Sequence, residues 1–63
     1  MKGTVSWFSD LRGFGFISSI GYDNDIFFHK TNLLTKYIKK GDEVDFNTKM
    51  DKKGLIAINI TKV

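Results

Sequence analysis

Along this 63-residue chain the apolar side chains recur at every second position rather than at a helical spacing. Thr4-Val5-Ser6 alternates and runs into Trp7-Phe8, while Phe14 and Phe16 alternate with Gly15 and Ile17. In Ile26-Phe27-Phe28-His29, Ile26 and Phe28 share one face of an extended strand and Phe27 and His29 share the other. Val44 and Phe46 alternate with Asp45 and Asn47, and Ile56, Ile58 and Ile60 alternate with Ala57, Asn59 and Thr61. The pattern predicts five strands, over 2–9, 13–19, 25–29, 43–49 and 55–62. Turn chemistry separates them: Asp10-Leu11-Arg12-Gly13, the polar stretch 21–24, and Asp51-Lys52-Lys53-Gly54 with glycine where a hairpin needs a positive φ. Between the third and fourth strands the only helical signal is a single turn at Thr31-Asn32-Leu33-Leu34, too short to propagate as a helix.

Five short strands cannot bury a face as a flat sheet. Curling into a small all-β barrel encloses a core and removes the exposed edges. Alternation predicts Val5, Ile17, Ile26, Phe28, Leu33, Ile38, Val44, Phe46, Ile58 and Ile60 inside. Phe14, Phe16 and Phe27 then point outward on adjacent strands, where leaving each ring in water forgoes roughly 1.5–3 kcal/mol of burial. In a chain this small aromatic rings are usually core, but burying Phe14 and Phe16 would turn Ile17 outward, so parity favours a ligand-facing patch. Trp7 shares the parity of Val5 and belongs inside by alternation, with Ser6 and Phe8 outside; a bulge or bend near 6–9 would re-aim it. Alternation alone does not place Trp7.

Composition narrows the class. The chain has 41% hydrophobic and 27% charged residues, with no cysteine and no proline, which predicts one domain over 1–63, without disulfides or thiolate metal sites, in a reducing cytoplasmic setting. The longest apolar run, Leu55-Ile56-Ala57-Ile58, is far short of a membrane span or a signal-peptide core. Ten Lys and Arg against seven Asp and Glu leave a net charge of +3, spread without a polybasic run, so the charge permits nucleic-acid binding without demanding it. Nine aromatic residues, six of them Phe, are the stronger signal.

Catalytic and metal readings fit poorly. His29 is the only histidine, and Asp23 and Asp25 bring no third ligand. As the start of a calcium loop Asp23-x-Asp25 fails, because Phe28 stands where glycine is required and Leu34 where glutamate is. Ser18 or Ser19 with His29 and an aspartate lacks a strained nucleophile turn, and Gly13-x-Gly15 neither opens a helix nor precedes Lys-Thr. No enzyme, cofactor or small-molecule substrate is predicted.

Arg12-Gly13-Phe14-Gly15-Phe16-Ile17 resembles the first ribonucleoprotein motif and Ile26-Phe27-Phe28-His29 the second. RNA-recognition-motif proteins share such motifs but need two real helices and an aromatic where Ser19 stands. The bacterial cold-shock proteins match in length and order. The Gly3-x-Val5-x-Trp7-Phe8 opening, both motifs, Gly41-x-x-Val44-x-Phe46 and the Ala57-x-Asn59-x-Thr61-Lys62 ending fall in family sequence across the whole chain. The resemblance implies a five-stranded antiparallel Greek-key barrel of the OB type, a monomer that binds single-stranded RNA and DNA and acts as an RNA chaperone, with roles in transcription or translation. It implies a platform of Trp7, Phe14, Phe16, Phe27 and His29, with Trp7 exposed, flanked by Arg12 and Lys53, and with Asp25 at the base edges; Phe8 borders the patch. The chain departs from the family at Lys30, where another aromatic is usual, which predicts weaker stacking and a steeper salt dependence, and at Thr4 and Ser6, which replace first-strand lysines. The connection from Thr31 to Gly41 is short, and Tyr37 either substitutes for its stacking aromatic or packs on the barrel end. The alternative from another class is a protein-interaction module that uses the same patch.

Overall fold

A computed structural model, describing residues 1–63, contains five strands: β1 (Lys2–Ser9), β2 (Phe14–Ser18), β3 (Ile26–His29), β4 (Glu43–Asp51) and β5 (Gly54–Lys62). One 3₁₀ turn, Lys30–Asn32, follows β3 directly, starting one residue earlier and ending two earlier than the pattern predicts. The strands close into a barrel in the spatial order β1-β2-β3-β5-β4, so that β4 returns to lie beside β1 in Greek-key fashion. Neighbours are antiparallel except β3 and β5, which meet in parallel at Phe27 and Ile56. An all-antiparallel closure is geometrically impossible here: strand direction cannot alternate all the way round a ring of odd number. The single parallel seam absorbs the mismatch.

The core is Val5, Ile17, Ile26, Phe28, Val44, Phe46, Ala57 and Ile60, with Phe8, Tyr22, Leu33 and Ile38 packed against it. Two members differ from the alternation. Ile58 was expected inside and is only half-buried, while Ala57 beside it is fully buried. The cause is a bulge. Between the pairs Asp45–Thr61 and Asn47–Ile58, β4 advances two residues while β5 advances three, and Asn59 takes up the extra residue at φ 52°. Ile60 therefore returns to the core after Ala57, and Ile58 faces outward.

A second bulge shapes β1. Val5 pairs with Ile17 but Trp7 pairs with Phe16, so Ser6 is the extra residue. Everything after it changes phase: Trp7 turns outward, and Phe8, opposite Gly15, turns inward and stacks on Phe28 with ring centroids 5.8 Å apart. Phe8 is thus a core-lining ring rather than the border of the outer patch that the sequence predicts. Gly15 makes room for this stack. A Cβ there would lie 2.5 Å from the Trp7 carbonyl oxygen and 2.7 Å from the Phe28 ring. Gly15→Ala is expected to destabilise by about 1–3 kcal/mol, read from urea melts; an unchanged midpoint would show that β1 and β2 separate freely.

The connection 30–42 closes one end of the barrel. The Leu34 N–H donates to the Ile60 carbonyl at 2.7 Å, Lys62 N–H donates to Thr35 Oγ1 at 2.8 Å, and Gly41 N–H donates to the Val5 carbonyl at 2.8 Å. The Met1 ammonium contacts Asp45 Oδ1 at 2.9 Å, and that hydrogen bond and charge hold the Asp45 carboxyl below the ordinary carboxylate range. No helix is long and apolar enough to cross a membrane.

Candidate nucleic-acid interface

Register across the barrel wall assembles the outward rings. Trp7 pairs with Phe16, Phe16 with Phe27, Phe27 with Ile56, and Ile56 with Lys49, forming one row over five strand positions on the outer face. The adjacent row holds Phe14 opposite His29. Centroids in this patch lie 5.3 Å apart for Trp7–Phe14, 6.2 Å for Trp7–Phe16, 5.6 Å for Phe14–Phe27, 5.8 Å for Phe16–Phe27 and 4.8 Å for Phe27–His29. Interplanar angles run from 33° to 90°, so no ring face is covered by a parallel neighbour. Trp7 is 40% exposed and His29 is exposed, while Phe14, Phe16 and Phe27 are half-buried by one another.

The structure brings together all five platform residues that the resemblance implied and sets Phe8 apart from them. It also adds two residues that alternation did not assign there. Ile56, nearly buried, continues the apolar row beyond Phe27, and Lys49 ends it with a cation. Lys49 was readable in principle: counting back from the Asp51–Gly54 hairpin pair puts 49 opposite 56. The same count places Ile56, whose side of β5 the uninterrupted apolar run Leu55-Ile56-Ala57-Ile58 conceals.

The charged residues are arranged unevenly. Arg12, in the β1–β2 turn, and Lys53, in the β4–β5 hairpin, are exposed and take part in none of the ion pairs. Lys30 Nζ instead lies 2.7 Å from Asp10 Oδ1, an exposed pair of small energetic weight that nonetheless offsets the added charge locally. Asp25, exposed at the entry to β3, accepts a hydrogen bond from Ser6 Oγ at 2.7 Å. Tyr37 is 80% exposed and rims a depression formed with Phe8, Asp10, Lys30, Leu33, Lys36 and Ile38; its neighbour Ile38 is the residue that packs on the barrel. No group of three His, Asp or Glu side chains converges as a metal site would require.

Chemically the wall offers flat apolar faces, with Lys49 at the end of its row and the exposed cations Arg12 and Lys53 in the neighbouring turns. Such a surface can stack planar rings and steer an anionic backbone.

Residues 1–63 match the family described as the "Cold-shock" DNA-binding domain. The chain is 36% identical to cold shock-like protein CspA of Stigmatella aurantiaca, over 97% of this chain and 94% of that protein. It is 33% identical to cold shock-like protein CspC of Escherichia coli K12, over 100% of this chain and 96% of that one. Among solved structures, drosophila Unr CSD456 superposes with a TM-score of 0.84 at 31% identity, covering 98% of this chain; the chain spans 26% of that larger structure.

Proposed function

The chain belongs to the cold-shock family of nucleic-acid-binding domains, and from that premise we propose that it holds single-stranded RNA or DNA by stacking unpaired bases on its outer aromatic wall. The observation that supports this reading above all is the unbroken row Trp7–Phe16–Phe27 across three strands, extended by Phe14 and His29. Each base stacked on an aromatic contributes about 1–3 kcal/mol and tolerates any base identity. A few such contacts, less the cost of ordering a flexible strand, put the dissociation constant between about micromolar and tens of nanomolar.

Selectivity for single strands follows from geometry. A duplex hides its base faces in its own stack, so the wall engages only bases that are already unpaired. Preferential binding of the open form draws a pairing equilibrium toward melted RNA without nucleotide hydrolysis, which is the action of an RNA chaperone. In this reading the protein works as a monomer in the cytoplasm and influences transcription or translation through the structures it melts.

Titration with heptathymidine, followed by Trp7 fluorescence, tests the proposal. Strong quenching at one-to-one stoichiometry is expected; no change up to about 100 μM would reject it and favour a protein partner for the same patch. Salt dependence gives a second check. With Arg12, Lys49 and Lys53 as the cations at the edge, each neutralised phosphate contributes a log–log slope of about −0.7, so the slope should stay between about −0.7 and −2. A slope beyond about −4 would mean that backbone charge, not stacking, carries the binding.

A further inference from the structure

The outer row does not end with its rings. Beyond Phe27 it passes to Ile56 on β5 and then to Lys49 on β4, each paired beside the one before. Ile56 is only 8% exposed yet does not belong to the inner core cluster, as its place beside the outward-facing Phe27 requires. Lys49 is exposed, enters none of the three ion pairs and makes no side-chain hydrogen bond. Lys30 and Lys62, by contrast, are held by Asp10 and Asp42. Asn47 and Asp51, both exposed, share the side of β4 that carries Lys49. The Asp51 carboxylate forms no ion pair with Lys49, and with Lys52 and Lys53 beyond it the segment 49–53 holds three cations and one anion. Lys49 is thus a free ammonium at the end of a stacking surface.

Across these three strands the order is aromatic ring, aliphatic side chain, ammonium. A nucleotide presents matching chemistry in the same order: a flat base, a largely carbon sugar and an anionic phosphate. Neighbouring strands lie about 4.8 Å apart, so the Cα of Lys49 stands about 10 Å from that of Phe27. A lysine's flexible four-carbon stem lets its ammonium meet a phosphate within that span. We infer that Phe27, Ile56 and Lys49 form one nucleotide subsite, with the base on the ring, the sugar over the isoleucine and the phosphate on the ammonium. The bound strand then leaves the rings across β5 and onto β4. This subsite, which presupposes the stacking proposed above, adds a seated phosphate and an exit path to it. Stacking stops at Ile56 because a β-branched side chain has no flat π-face. An exposed ammonium–phosphate pair is weak in water, yet each neutralised phosphate releases counterions. Its signature is therefore clearer in the salt dependence than in affinity.

The test uses the intact chain, Trp7 fluorescence and heptathymidine carrying a methylphosphonate at each internucleotide linkage in turn. That group removes one backbone charge and spares the bases and sugars. Lys49→Gln, at an exposed position, should fold as the parent does and weaken binding of unmodified heptathymidine about two- to five-fold. Its log–log salt slope should be shallower by about 0.7, and Lys49→Arg should restore both quantities. At one linkage the methylphosphonate should weaken the parent by that same factor and cost Lys49→Gln nothing further. At the remaining linkages parent and variant should lose alike. If no linkage behaves in this way, or if Lys49→Gln leaves the salt slope unchanged, no phosphate sits on Lys49 and the inference is overturned, while quenching of Trp7 by heptathymidine keeps the stacking proposal standing. If heptathymidine does not bind the parent, both fall together.

Discussion

Phe16→Ala is expected to weaken heptathymidine binding by roughly 5- to 150-fold, the equivalent of losing one base stack of about 1–3 kcal/mol. Phe16 is the pivot of the wall, paired with Trp7 on one side and Phe27 on the other, with centroids 6.2 Å and 5.8 Å away. Its removal takes away one stacking face and the lateral support of two others, so the loss should fall toward the upper part of that range; Phe27→Ala, with Phe14, Phe16 and His29 as ring neighbours, should behave alike. Stability should change little by comparison. The ring is half-buried on the outer face, so its truncation forfeits on the order of 1 kcal/mol of burial, a shift in Tm of about 4–8 °C for a domain of this size. Isothermal titration and thermal melting of the same variant separate the two quantities. A folded Phe16→Ala protein that binds as tightly as the parent would show that the wall is not the binding surface, and an unfolded one would show that the ring belongs to the core.

The opposite partition is expected for Phe28→Ala. Phe28 is fully buried, stacks on Phe8 and covers Gly15, so its loss opens a cavity that two closed strands cannot collapse into. Truncations of this kind cost about 3–5 kcal/mol, and a core of this size supplies about that much in total. The variant should therefore be largely unfolded at room temperature, with collapsed amide dispersion in proton spectra and no cooperative melt. Phe27 and Phe28 are neighbours in sequence and of one residue type, yet they should fail in different ways: one loses ligand, the other loses structure. Only the side of the strand on which each ring lies distinguishes them. A Phe28→Ala protein melting within a few degrees of the parent would contradict the assignment of the inner face.

The strands themselves were legible because each carries its own two-residue rhythm. Phe14-Gly15-Phe16-Ile17 and Ile26-Phe27-Phe28-His29 read correctly in isolation, since β2 and β3 run without interruption and their faces need no outside information. Where a strand contains an extra residue, the rhythm before it says nothing of the phase after it. The conflict at Trp7 was visible as a parity clash and pointed to 6–9; the bulge at Ser6 resolves it, and the same change of phase carries Phe8 inward. At Asn59 nothing announced the interruption. Leu55-Ile56-Ala57-Ile58 is apolar throughout, so either phase looks acceptable, and Ile58 was assigned to a core that Ala57 occupies.

The candidate site divides in the same manner. Its rings were legible from composition, alternation and two motifs. Its polar rim was not: the hydrogen bond from Ser6 to Asp25 joins residues 19 apart, and the exposed Lys30–Asp10 pair offsets locally the added charge that Lys30 alone suggests.

What this chain determines from its residues in order is local: five extended segments, a glycine-bearing hairpin, and rings that alternate against aliphatic side chains on neighbouring strands. What only closure of the barrel decides is which residues meet. Ring closure with five strands imposes the parallel seam that puts Ile56 beside Phe27, the β4–β5 hairpin register sets Lys49 at the end of that row, and the bulge at Ser6 turns Trp7 into its other end. Alternation follows from the geometry of a single strand, whereas register is a relation between strands, fixed by how they fit around a shared interior.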